Sequence, residues 1–165
     1  MILYPKIYLN NVKEITISLL KQYELKGLIL DVDNTLIDYN KNMLEGIGEW
    51  VTELKREGIK LCILSNSNHK EKVEKVAKQL EIPYLHFAKK PLKGGFKKAK
   101  LILQLDEKNI GVAGDQIFTD VVGANLSHMF SILVKPIAEQ DIFITKIKRP
   151  IENKILKNYQ KKKKS

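Results

Sequence analysis

The sequence predicts an α/β domain built on a doubly wound, mostly parallel sheet with helices on both faces. Short apolar runs rich in branched residues recur along the chain, segments with helical spacing of apolar residues separate them, and several runs end in polar or acidic residues. The central run is Gly27-Leu28-Ile29-Leu30-Asp31-Val32-Asp33-Asn34-Thr35-Leu36. It starts as a buried parallel strand and stops at two acids one residue apart. A strand has no structural use for paired carboxylates at its C-terminal end, whereas open α/β sheets take their ligands outside those ends. Side chains alternate along a strand, so Asp31 and Asp33 are expected on one face and Val32 on the other. Their mutual repulsion would be relieved by a divalent cation. The plainer alternative is an Asp33-Asn34 turn with an incidental second acid.

The remaining elements follow in order. Residues 1–8 are mostly apolar and are expected across the sheet or at its edge. Asn10 or Asn11 is positioned to cap a helix carrying Val12, Ile15, Leu19 and Tyr23. The central strand covers about 27–33, and the next helix shows Leu44, Ile47, Val51 and Leu54 on one face, Trp50 at its edge, and a stop at Gly58. Residues 59–65 form a second strand ending in Ser65-Asn66-Ser67-Asn68. A helix with Val73, Val76, Ala77 and Leu80 leads to a short strand at 84–87, then Ala88-Lys89-Lys90-Pro91 and a helix holding Phe96, Ala99, Ile102 and Leu103. Residues 110–114 end at Asp115, a helix covers 121–126, and 129–134 is the last strand before Pro136.

Composition narrows the class. At 165 residues, with 44% hydrophobic and 29% charged residues, the chain suits one soluble domain with a real core. The single cysteine, Cys62, excludes an intrachain disulfide and reads as a small buried hydrophobe. No apolar run reaches the ~20 residues of a membrane span, and the N-terminus lacks the order of a secretory signal, so a cytoplasmic protein is expected. The formal net charge is +10, of which residues 146–165 hold +8 through Lys146, Lys148, Arg149, Lys154, Lys157 and Lys161 to Lys164 against Glu152. The body is close to neutral, unlike that of a general nucleic-acid-binding domain.

Four strand ends thus bring Asp31 and Asp33, Ser65, Lys90, and Asp115 with Asp120 to one sheet edge. That set suits phosphoryl transfer, in which a dianionic group must be neutralised before a carboxylate can attack it. Asp31-Val32-Asp33-Asn34-Thr35 resembles the DxDxT motif of the haloacid dehalogenase (HAD) superfamily. Leu61 to Ser67 resembles its second motif, Lys90 before Pro91 its third, and Gly114-Asp115-Gln116-Ile117-Phe118-Thr119-Asp120 its fourth. The stretches GLILDVDNTL, HFAKKPLKGGF and GDQIFTDVVGAN are similar to the capless, subfamily IIIA phosphatases of the YqeG-type, phosphatidylglycerophosphate phosphatase family.

The resemblance spans roughly residues 27–134 and implies a HAD-like domain without a cap, taken as 1–145, while the charge run marks a basic C-terminal helix or tail over 146–165. The resemblance also implies Asp31 as nucleophile, Asp33 as acid then base, Ser65 and the Asn66 amide at a helix start as phosphate binders, and Lys90 as a cation for the transition state. Mg²⁺ would be held by Asp31, the Asp33 backbone carbonyl and Asp115, with Asp120 behind them orienting a water or Lys90. The implied reaction is dephosphorylation of phosphatidylglycerophosphate to phosphatidylglycerol.

Blander readings apply elsewhere. Lys89 and Lys93 are surface charges, Thr35 closes its loop, His69, His86 and His128 lack ligand-like spacing, and Gly123-Ala124-Asn125 lets a helix pack closely, with Asn125 near the site edge. For Asn34, contact with substrate and a turn role both stay open. Ser65 lies 34 positions after Asp31, and Lys90 lies 25 positions after Ser65. In this superfamily lid domains are inserted at these two places, and neither gap has room for one, so the site is expected open to a bulky or surface-bound substrate. Pro150 suits a first helical position, with Ile151, Ile155 and Tyr159 on one face and lysines around the rest. That helix meets an anionic membrane surface, placing a cytoplasmic protein peripherally on its inner face, or docks on the sheet, and both hold if only residues 160–165 reach lipid. A nucleic-acid end phosphatase, a small-metabolite phosphatase and a noncatalytic binding protein on the same fold are the alternatives.

Overall fold

A strand with no polar position suits a place covered on both faces, and Gly27–Leu30 (β2) occupies the interior of a six-stranded sheet in the computed structural model. The structure describes residues 1–137 and 143–165, the side chains of 143–148 excepted. The other strands are Ile7–Leu9 (β1), Lys60–Leu64 (β3), Tyr84–Leu85 (β4), Ile110–Gly114 (β5) and Phe130–Val134 (β6). All pairings are parallel, in the order β1-β6-β5-β2-β3-β4. The N-terminal segment thus supplies an edge strand.

The helices are Ile17–Gln22 (α1), Ile47–Arg56 (α2), Lys70–Leu80 (α3), Lys93–Leu103 (α4), Val122–Leu126 (α5) and Phe143–Lys164 (α6). Period-two alternation divides the core between the two faces. Leu28, Leu30, Leu61 and Ile63 pack with Leu20, Val51, Leu54, Val73 and Ala77 of α1 to α3. Ile29, Cys62, Leu64 and Val112 pack with Phe96, Ala99 and Leu103 of α4 and Ala124 of α5. Each fully enclosed Leu or Ile contributes roughly 1.5–3 kcal/mol. Gly123 allows this closeness, since a Cβ there would lie 2.3 Å from Phe96 Cε2.

Several expectations need correction. The first helix is two pieces: Asn11 caps a 3₁₀ turn at Val12–Glu14, and Thr16 caps α1 by accepting from the Leu19 N–H at 3.1 Å. Leu44 precedes α2, and Trp50 is buried, donating its indole N–H to the Ile15 carbonyl at 2.9 Å. Ile102 is exposed on α4. A π-helical turn, Ile117–Val121, precedes α5. Asn125 lies away from the site, donating to the Ile2 and Tyr4 carbonyls.

The last helix departs most. Pro150 lies inside α6 and not at its start. The docked face carries Glu152, Ile155, Leu156 and Tyr159, while Ile151 is exposed. Ile155 and Leu156 cover Ile117, Val121 and Leu133, with Leu3 and Tyr8 alongside. The helix is turned so that the buried Glu152 takes the place expected of Ile151. Lys161 to Lys164 are exposed, and the side chains of Lys146 and Lys148 lie outside the described residues.

Candidate active site

The carboxyl ends of β2, β3, β4 and β5 open on one crevice, and each delivers one polar group to it. Asp31 follows β2 directly, and its N–H donates to the Ala113 carbonyl at 3.0 Å, continuing the β2–β5 ladder by one residue. That bond sets Asp31 beside the end of β5, where Asp115 follows. The π-helical turn then returns the chain, with the Asp120 and Val121 N–H groups both donating to the Gln116 carbonyl. Asp120 Oδ2 accepts from the Gln116 N–H at 3.2 Å. Gly114 is required here: a Cβ would stand 2.2 Å from Asp120 Cγ.

Lys90, after β4, is buried and joins these acids. Its Nζ donates to Asp31 Oδ1 at 3.0 Å and to Asp120 Oδ1 at 2.6 Å. Asn66 fixes its backbone from both sides, Oδ1 accepting from the Lys90 N–H at 2.6 Å and Nδ2 donating to its carbonyl at 3.1 Å. Asn66 therefore positions Lys90. It does not open a helix as expected, because α3 begins at Lys70. Ser65 is buried at the end of β3, with Oγ accepting from the Ser67 N–H at 3.1 Å. Lys89 and Lys93 are exposed. Thr35 donates to Asp31 Oδ2 at 3.3 Å and thereby ties the loop to the acid. Asn34 has a left-handed backbone (φ 60°) and bonds the Ile37 carbonyl, a turn geometry.

Strand β2 ends at Leu30, so Asp33 sits on the following loop, half exposed, with Lys72 Nζ at 2.8 Å. The buried acids that come together are Asp31, Asp115 and Asp120, one oxygen of each lying within 4.8 Å of the others.

Arg149, counted in the sequence only as one charge of the basic end, reaches this cluster from α6. Its guanidinium pairs with the Asp115 carboxylate, donates to the Asp115 carbonyl at 2.7 Å, and donates to Glu152 Oε2 at 3.3 Å. Glu152 Oε1 accepts from the Phe118 N–H at 3.4 Å, so the pair also holds the π-helical turn.

Burial sets the protonation of these groups. It raises Asp120 to about 7, with the Asp31 charge adding to the rise and Lys90 opposing it. Burial also holds Asp115 well above the ordinary carboxylate range, with Asp31 adding and Arg149 opposing. Burial disfavours the Lys90 ammonium, but the Asp120 and Asp31 charges outweigh it and hold Lys90 above its ordinary value. The residues fit a hard cation: three carboxylates converge, and Asp115 Oδ1 is buried with no hydrogen-bond partner among the described residues.

A family model described as mitochondrial PGP phosphatase matches residues 1–138. The chain belongs to that family. Its HAD-like fold recurs in solved structures. A protein described as "uncharacterized" from Listeria monocytogenes serotype 4b is 21% identical, with 72% of this chain and 84% of that one covered and a TM-score of 0.58. A "putative HAD family hydrolase" from Streptomyces avermitilis MA-4680 is 18% identical, with 71% and 75% covered and a TM-score of 0.53. This chain is also similar to "Probable phosphatase YqeG" of Bacillus subtilis (strain 168), 37% identical over 159 residues, 96% of this chain and 92% of that one. That span takes in most of α6. Among the described residues no helix is long and apolar enough to cross a membrane.

Proposed function

We propose that the chain hydrolyses a phosphomonoester through an aspartyl-phosphate, and that the substrate is phosphatidylglycerophosphate. The observation that carries the chemistry is Lys90 held between Asp31 and Asp120 at the strand ends, with Ser65 at the neighbouring one. A carboxylate oxygen of Asp31 attacks phosphorus and the ester P–O bond breaks. Asp33 gives its proton to the departing alkoxide, then takes one from the water that cleaves the aspartyl-phosphate. Ser65 and Lys90 hold the phosphoryl oxygens as charge moves onto them. Asn66 fixes the Lys90 backbone, and Asp120 fixes its ammonium.

Mg²⁺ is the ion we assign to Asp31, Asp115 and the Asp33 backbone carbonyl, with Asp120 behind them. When bound, it supplies charge neutralisation for an incoming phosphate. The lipid assignment is supported by the family match and by the exposed basic end. Lys162 and Lys163 lie over the rings of Tyr4 and Tyr159, beside the exposed Met1 and Ile2, a surface suited to anionic lipid.

The test is Mg²⁺-dependent phosphate release from phosphatidylglycerophosphate in detergent micelles, beside an aryl phosphate and a 3′-phosphorylated oligonucleotide, with Asp31→Asn as blank. Preference for the lipid, lost in the blank, is the expected result. Turnover of the aryl phosphate alone retains the chemistry and removes the lipid. No turnover of any substrate by a protein that binds Mg²⁺ overturns the whole reading.

A further inference from the structure

Beside Asp33 lies a cavity of about 430 Å³ that the chemistry above does not use. The loop after β2 folds back through bridges of Ile37 with Asp33 and with Met43, and so faces α3. Ile37, Met43 and Val76 give the cavity an apolar floor, while Lys41, Lys72 and Lys75 stand along it with Glu71 as the one acid of the lining. Lys72 belongs to both places: it lines the cavity and its Nζ meets both Asp33 carboxylate oxygens, at 2.8 and 3.0 Å.

The side of the site where Asp33 stands is the side on which the alcohol departs. A leaving alcohol therefore emerges against Lys72 and the mouth of this cavity. Lys72 already meets Asp33, and a simple alcohol would gain nothing from the further ammonium groups of Lys41 and Lys75. An alcohol that itself carries a negative charge would gain a complementary field, and its carbon skeleton would lie on the apolar floor.

We propose that this cavity is a leaving-group subsite for a second anionic group, a glycerol phosphodiester linked to the alcohol being released, held by Lys41, Lys72 and Lys75. The proposal rests on the phosphomonoesterase reading with Asp33 facing the leaving group, and its choice of a glycerol phosphodiester rests on the phosphatidylglycerophosphate assignment above. It makes the chain select substrates by charge on the departing alcohol, with no cap domain needed to enclose them.

The experiment compares kcat/KM for glycerol 3-phosphate with that for its counterpart bearing a glycerol phosphodiester on the alcohol, both soluble and free of acyl chains. The wild-type chain is expected to prefer the diester-bearing substrate, and raised salt to erode that preference through KM. Lys41→Gln and Lys75→Gln should each lower the ratio roughly 3-fold, and together roughly 10-fold, the scale of exposed charge pairs. Lys97→Gln, an exposed charge on α4 across the sheet, should leave it unchanged. Turnover of both substrates with a ratio insensitive to Lys41 and Lys75 overturns the subsite and leaves the phosphatase reading standing. Turnover of neither overturns both. A stronger, equally lysine-dependent preference for a 3′-phosphorylated dinucleotide overturns the glycerol diester as occupant.

Discussion

The Arg149 guanidinium lies on the Asp115 carboxylate and also bonds that residue's own carbonyl, so the C-terminal helix is fastened to the loop that follows β5. Asp115 is almost wholly buried and Arg149 about one-fifth exposed (21%), so the pair is only partly screened. Arg149→Gln should destabilise the metal-free protein by about 1–2 kcal/mol, or about 2–8 °C in Tm. With one cation gone from the cluster, saturating Mg²⁺ should raise Tm further in the variant than in the wild type. Scanning calorimetry of both proteins with and without Mg²⁺ checks this. An equal Mg²⁺ shift in the two would separate Arg149 from the metal site.

Lys90 is the cation that Asp31 and Asp120 share, and its removal leaves two buried carboxylates facing each other. Lys90→Met should lower kcat about 10²–10³-fold, the scale seen when one donor to developing charge is lost. Lys90→Arg should not restore activity, since a planar fork cannot replace a compact ammonium between two closely placed acids. Steady-state kinetics on whichever phosphomonoester the wild type turns over gives the answer.

Much of this was legible in the sequence because burial on both faces leaves a plain mark. The runs around Leu28, Cys62 and Val112 contain almost no polar positions, and the polar residues begin where the strands stop. Asp31, Ser65, Lys90, Asp115 and Asp120 could be brought to one edge from that pattern alone. Arg149 could not, because its role depends on how α6 is rotated, and the apolar Ile151 pointed to the wrong face. The signal available was the Arg149–Glu152 pair at i,i+3, followed by Ile155, Leu156 and Tyr159 on the same stripe. The π-helical turn left no mark, since one extra residue in a helical turn changes neither composition nor hydrophobic period. Asn66 reads as part of a helix start because the three residues between it and α3 (Ser67, Asn68 and His69) are polar and indistinct.

Gly114 gives a test of geometry without any change of charge. A methyl group at this position would stand 2.2 Å from Asp120 Cγ and 2.7 Å from its Cβ, both close to the backbone and unable to swing aside. Gly114→Ala should push Asp120 off Lys90 and lower kcat about 10²-fold, the cost of about 1 Å of misplacement in a catalytic group. Circular dichroism should show the secondary structure retained. Full activity in Gly114→Ala would mean that the Asp120–Lys90 contact is not needed for turnover.

The raised carboxyls of Asp115 and Asp120 make metal binding pH-dependent. Asp120, at about 7, binds its proton more tightly folded than unfolded. Below about pH 4 it is protonated in both states and costs nothing. As pH rises towards 7, only the unfolded chain gives the proton up freely, so this group lowers the stability of the metal-free protein, and above 7 the full cost applies. Asp120 stands behind the ligands, where its negative charge favours a bound cation, so Mg²⁺ binding drives that proton off at pH 6 and has none to displace from Asp120 at pH 8.5. Calorimetric titration should therefore show tighter Mg²⁺ binding at pH 8.5. At pH 6, heats measured in two buffers of different ionisation enthalpy should differ by the released proton. Asp120→Asn should remove most of that difference, because its amide has no proton to lose and Lys90 keeps a partner in Asp31. An unchanged difference in Asp120→Asn would move the titrating proton to Asp115, the other acid that burial raises.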